Sequence, residues 1–274
     1  MSVYPGGNVS PIPPQIDFGA IGRAWELFKA QMGVWIGAAA VLLLISLLVG
    51  VPAAFLTGFA GHYMALMRGS HGSATPQDML GLFGSEALFI FIVTVVGYVL
   101  LGGAYRMALK AARGERVAVG DLLSISDVIL PLIGVGLINM VCVFVGSLLC
   151  VLPGLVVAGL FMFAPLLVVD RKLGPIAAIQ ESINILKSQW LMATAFYFVV
   201  TLLYSFSSYL CGVGILAGFP VFVLSVALTY LALTEPRQPI VATSGFGEGQ
   251  AAPSVWPPPP GAGPSSDTWP PPNV

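Results

Sequence analysis

The sequence predicts an all-α integral membrane protein: six transmembrane helices in three hairpins, each preceded by a cytoplasmic interfacial amphipathic helix. Three observations predict it. Charged residues make up 8% of the 274 residues and hydrophobic ones 57%, whereas a soluble domain carries about 25% charged residues. A soluble chain of this length could not cover its surface with so few charges, and lipid needs no such cover. Apolar runs long enough to cross a hydrocarbon core, about 20 residues, recur along the chain. The cations fall almost wholly on alternate loops.

Five runs reach spanning length, at 33–57, 86–107, 129–151, 190–212 and 215–234, and a sixth, 153–169, lies at the short end. Pro153 and Gly154 form a strong turn signal after the third run. Residues 129–169 therefore read as a tight helical hairpin, with a re-entrant pair as the alternative. The first run is too long for the apolar core of a signal peptide and reads as an uncleaved span. Arg23, Lys29, Arg106, Lys110, Arg113, Arg116, Arg171, Lys172, Lys187 and Arg237 all fall on one side of these spans, and only Arg68 on the other. The positive-inside rule then puts both termini in the cytoplasm, with the protein in the plasma membrane.

The cytoplasmic segments carry a repeat. Residues 20–31, AIGRAWELFKAQ, align without gaps with residues 178–189, AIQESINILKSQ. Ile21, Trp25, Phe28 and Met32 in the first, and Ile179, Ile183, Leu186 and Trp190 in the second, mark one stripe of an amphipathic helix. Each stripe leads into a span, as in a helix lying in the headgroup plane, and Trp25, Trp35 and Trp190 suit that depth. Packing against the end of the bundle is the competing reading of the stripes. A shorter element, 120–125, precedes the third span in the same way.

The leading AWELFK helix, GAYRMALKAARGE at 103–115, the GDLL element, LPGL at 152–155 and APLLVVDR at 164–171 followed by ESINILK together carry a resemblance. Over about residues 18–235 the chain resembles bacterial integral membrane proteins related to the glycerophosphodiester phosphodiesterase membrane domain. The resemblance implies a six-span fold, in some members fused to a catalytic phosphodiesterase. That catalytic barrel needs about 250 residues of its own, so it is expected to be absent, and the resemblance implies no activity.

The residues themselves point to no reaction. The centres of all six spans lack Asp, Glu, Lys, Arg and His, the usual marks of proton relays and ion paths. No metalloprotease, nucleophile-elbow or phosphate-loop motif occurs. Cys142, Cys150 and Cys211 sit in apolar runs without metal or redox spacing, and His62 and His71 lack a third clustered ligand. The chain is read as no enzyme, with no metal and no cofactor, and the net charge of −1 gives no reason to expect nucleic acid.

Two sets of polar residues remain. Arg106, Asp121, Asp170 and Arg171, with Asp127 and Glu181, flank spans on the same side. One reading is a lipid-headgroup or small-ligand site, with Arg106 and Arg171 as forked phosphate donors. The other, which is favoured, is helix-end ion pairing with contact to anionic lipid. Within the membrane, Asn139, Tyr204, Ser205 and Ser208 form a polar face, read first as interhelical hydrogen-bonding groups and second as the lining of a small vestibule.

Pro52, Pro131, Pro165 and Pro220 predict kinks, and Gly214 with Gly218 predicts a close helix contact. The organisation expected is a Pro-rich disordered N-terminus at 1–16, a transmembrane domain at 17–235 and a Pro-rich disordered tail at 236–274. Trp256 and Trp269 precede proline runs in that tail and suit an aromatic-lined partner groove. The function expected is a non-enzymatic scaffold or accessory component contacting membrane lipids or partner proteins. The alternative is a small transporter or channel-like protein for an uncharged or lipidic substrate, since repeats and broken helices are common in transporters.

Overall fold

A computed structural model describes residues 15–67, 76–149, 151–209 and 213–235. Every regular element among them is helical. In chain order these are α1 (Gly19–Ala30), α2 (Met32–Leu56), α3 (Phe59–Met67), α4 (Pro76–Ala112), a 3-10 turn (Val119–Leu123), α5 (Ile129–Leu149), α6 (Val151–Leu160), α7 (Ala164–Arg171), α8 (Pro175–Leu186), a second 3-10 turn (Lys187–Gln189), α9 (Trp190–Tyr209) and α10 (Val213–Thr234). Six segments are long and apolar enough to cross a membrane, so the chain is a multi-pass membrane protein. The expectations for residues 1–14 and 236–274 lie outside the described residues. Ile16, expected to belong to the N-terminal tail, is instead buried, and its N–H donates to Gln189 Oε1 at 3.0 Å.

The spans are unequal in burial. Half or more of the fourth (Leu152–Arg171, 56%) and the sixth (Gly214–Thr234, 50%) is buried, against 17–22% for the other four. These two therefore form the centre, and the others present leucine, phenylalanine and valine outward, as lipid-facing helices do. The core is densest at the charged end, where the run from Ala164 to Val169 in α7 is wholly buried.

The fourth span is broken in the middle. Helix α6 ends at Leu160, a turn covers 161–163, and α7 restarts with Pro165 in its first turn, where a missing N–H costs nothing. The Leu160 carbonyl accepts a hydrogen bond from Ser182 Oγ at 2.6 Å, which satisfies a group that hydrocarbon would otherwise leave bare. Helices α2 and α10 run continuously through Pro52 and Pro220. Pro153 and Gly154 lie inside the first turns of α6 and not in a turn before it, because a first-turn proline needs no hydrogen-bond partner.

The repeated segments bury equivalent positions. Ala20, Ala24 and Phe28 of α1 correspond to Ala178, Ser182 and Leu186 of α8, and all six are buried. The correspondence continues into the spans, where Trp35, Ala38 and Leu42 of α2 match Ala193, Phe196 and Val200 of α9, again all buried. The predicted stripe divides between core and surface. Helix α1 packs against α10 and buries Phe28 together with Ala20 and Ala24, while Trp25, and Met32 at the start of α2, remain 45% and 42% exposed. Close approach of helices in lipid is set by small side chains, so alanines took the contact. In α8, Ile179 and Leu186 of the predicted stripe are buried and Trp190 is exposed.

Two glycines permit close contacts between elements. A Cβ on Gly103 of α4 would collide with the Leu122 carbonyl oxygen in the 3-10 turn. One on Gly218 of α10 would stand 2.5 Å from the Ser207 Cβ of α9, so this glycine serves the close helix contact that its spacing suggests.

Candidate functional site

At the charged end, α4 supplies three cations on one face, Arg106, Lys110 and Arg113, at the spacing that aligns helical side chains. Arg106 donates to the Ser124 carbonyl oxygen and to both Asp127 carboxylate oxygens, at 3.1 and 3.3 Å. Lys172 approaches the same carboxylate at 3.1 Å. Lys110 Nζ lies 2.6 Å from Asp121 Oδ1, while the other oxygen of Asp121 accepts the Ala118 N–H at 3.0 Å. Arg113 bridges Asp170 at 2.8 Å and Glu235 at 3.0 Å. Asp170 also accepts from the Tyr230 hydroxyl at 2.8 Å. Arg171 pairs more loosely with Glu181, at 3.4 Å, with both side chains about 40% exposed (42% and 39%).

One layer of charge thus ties the end of α4 to the first 3-10 turn, the start of α5, the end of α7 and the end of α10. The predicted residues Arg106, Asp121, Asp170 and Arg171 all stand in it, each against another protein group. Lys110, Arg113 and Tyr230 belong to it too, and sequence reading had not selected them. Arg113 joins two carboxylates, yet they lie 57 and 122 residues away, so nothing local distinguishes it from Arg116.

The electrostatics follow from these pairs. Asp121 is held below the ordinary carboxylate range, first by the Lys110 hydrogen bond and then by the Ala118 N–H. Asp127 is lowered chiefly by Lys172, against some loss of hydration, with Arg106 adding to the effect. Loss of hydration works against the Arg113 charge, but the Asp170 and Glu235 hydrogen bonds outweigh it and raise its pKa. A depressed carboxylate contributes stability above its unfolded pKa and loses it as pH falls through the folded value. Melting of the purified protein is therefore expected to be flat from pH 7 to 5 and to drop below about pH 4. Asp121→Asn should melt lower at pH 7 and show a smaller acid drop; an equal drop would remove Asp121 from the account.

Inside the membrane, Asn139 of α5 donates through Nδ2 to the Tyr98 hydroxyl of α4 at 2.5 Å. The Tyr98 ring meets Gly136, where a Cβ would stand 2.6 Å from it. Tyr204 of α9 lies against Phe219 and Phe222 of α10, with ring centroids 6.3 and 5.9 Å apart. It also lines a cleft of about 420 Å³ between α2, α4, α9 and α10, with Ser46, Thr94, Tyr98 and Phe219 among the walls. Ser205 lies off this cleft, and the Ser208 side chain is outside the described residues. Tyr98 was not anticipated, because its partner Asn139 lies 41 positions away.

The comparisons with other proteins fit this picture without adding a role. The chain is 31% identical, over 194 residues, to an uncharacterized protein of Mycobacterium bovis and to uncharacterized proteins of two strains of Mycobacterium tuberculosis. The matched stretch is 68% of this chain and 54% of each relative. The chain spans about half the length of the curated relatives it matches. No family model matches the sequence, and no solved structure matches it. Among the described residues, no three His, Cys, Asp or Glu side chains stand close enough to hold a metal ion.

Proposed function

We propose that this is a non-enzymatic membrane scaffold or accessory protein that contacts lipids and partner proteins. The observation that carries the reading is the charged layer, in which Arg106, Lys110 and Arg113 are each engaged by protein acceptors. A general acid or a phosphate fork must have a group to offer, and these are committed. Their work is to fasten five segments at one end of the bundle.

The finer architecture belongs to the same proposal. Both ends lie in the cytoplasm on the strength of the one-sided cations, in a plasma membrane. The spans form three hairpins entered through α1, the first 3-10 turn and α8, and exposed Trp25 and Trp190 rest at headgroup depth. The resemblance to the glycerophosphodiester phosphodiesterase membrane domain is kept on the same footing. Its motifs GAYRMALK and APLLVVDR fall on the most buried stretches of α4 and α7, which supports a shared packing scheme. The Pro/Trp tail is the proposed partner contact.

The test is Arg106→Gln combined with Arg171→Gln, scored by anionic lipid retained through detergent purification. Retention should stay within about twofold of wild type, with a stability loss of about 1 kcal/mol from the opened pairs. A several-fold fall in retention would replace this reading with a specific headgroup site. One observation favours the second reading, carriage of an uncharged or lipidic substrate: the cleft lined by Tyr98 and Tyr204. Flux in proteoliposomes decides between the two.

A further inference from the structure

We infer that the cleft between α2, α4, α9 and α10 binds one uncharged amphiphile from the bilayer, a hydrocarbon chain carrying a hydroxyl or carbonyl head. Its volume, about 420 Å³, is that of a small-molecule site. Ser46 lies midway along α2, and Thr94 and Gly97 lie well inside the second span, Phe83–Ala112. The cleft is therefore at hydrocarbon depth. Ser46 and Gly97 are exposed, so it opens on the flank that faces lipid, and a ligand enters sideways.

The walls select the chemistry. Ala39, Leu42, Leu43, Leu100, Leu101, Ile215 and Phe219 supply an apolar lining with no acidic or basic side chain, and a charged ligand at this depth would lose its hydration without compensation. A bare hydrocarbon chain fits poorly for the opposite reason. Several serine and threonine hydroxyls elsewhere in the spans are satisfied by the carbonyl four residues back, among them Thr194, Ser207, Ser225 and Thr229, whereas Thr201 is not. Ser46 and Thr94 make no hydrogen bond among the described residues. Two unpartnered hydroxyls in a hydrocarbon-depth cleft call for a ligand oxygen. Tyr98 adds a third polar group: its oxygen already accepts from Asn139, which leaves its proton to be donated.

Gly97 makes the test clean. A Cβ there meets no atom within 4 Å, so the side chain of Gly97→Leu starts into open space and occupies part of the cleft. The full chain in mild detergent is titrated with monoolein, an uncharged hydroxyl-headed amphiphile, and read by native mass spectrometry, with oleate as the charged competitor. One monoolein per chain is expected at saturation. Gly97→Leu should abolish it, and the double variant Ser46→Ala with Thr94→Val should weaken it roughly tenfold, each with melting close to wild type. Non-saturating uptake overturns the inference, and so does equal binding by both variants or equal binding of oleate. The result stands apart from the proposed function: stoichiometric binding without flux leaves the scaffold reading intact, and flux without binding here sinks only the cleft.

Discussion

Gly103→Val is expected to unfold the charged end of the protein. The new Cβ would enter the space of the Leu122 carbonyl oxygen, a backbone atom that cannot swing aside as a side chain does. The 3-10 turn Val119–Leu123 must then leave α4, and with it go the Lys110–Asp121 pair and the Arg106 bond to Ser124. Overpacking costs about 1–3 kcal/mol when side chains can adjust; against a fixed backbone and two lost polar contacts, roughly 3 kcal/mol or more is expected. Thermal melting in detergent reads this directly. Gly97→Ala in the same helix serves as the reference, and it should melt no lower than wild type. Equal melting of the two variants would mean that the turn is not held against α4.

The second large effect is Phe163→Ala. Phe163 sits in the break between α6 and α7, with no exposed surface, and its ring meets Tyr230 edge-on at 5.5 Å. Truncation leaves a cavity beside the hydrogen bond from Tyr230 to Asp170, at a cost of about 3–5 kcal/mol. Phe163→Leu should recover more than half of it. Denaturant titration of both variants gives the comparison, and a loss under about 1 kcal/mol for the alanine variant would show that the break is packed loosely.

The membrane class was legible because it follows from composition, and so were the spans, because their apolar runs are long. The repeat was legible at α1 and α8 but not its continuation, since Trp35 and Ala193, or Ala38 and Phe196, share burial without sharing chemistry. The stripe on α1 marks Phe28 but not the alanines buried beside it. Alanine carries little hydrophobic signal, so Ala20 and Ala24 do not stand out in the sequence, although in lipid the small residue makes the contact. Pro165 announced a disturbance in the fourth span. That Ser182 caps the freed Leu160 carbonyl is a tertiary fact with no local trace. The same holds for Arg113 and for Tyr98 with Asn139, whose meaning comes wholly from remote partners.

The position of α10 bears on how the chain is assembled. It packs against α1, α2, α4 and α9, and Tyr230, with Glu235 just beyond its end, reaches Asp170 and Arg113. It is also the last of these helices to leave the ribosome. Until it arrives, Ala20, Ala24 and Phe28 have no surface to settle on and Arg113 lacks one of its two carboxylates. The earlier spans pair with one another first, α4 with α5 and α5 with α6 among them, and the insertion of α10 then completes the contacts of α1 and of Arg113. A ribosome stalled before that point leaves an open bundle with its charged end incompletely neutralised, the kind of intermediate that membrane quality control can recognise.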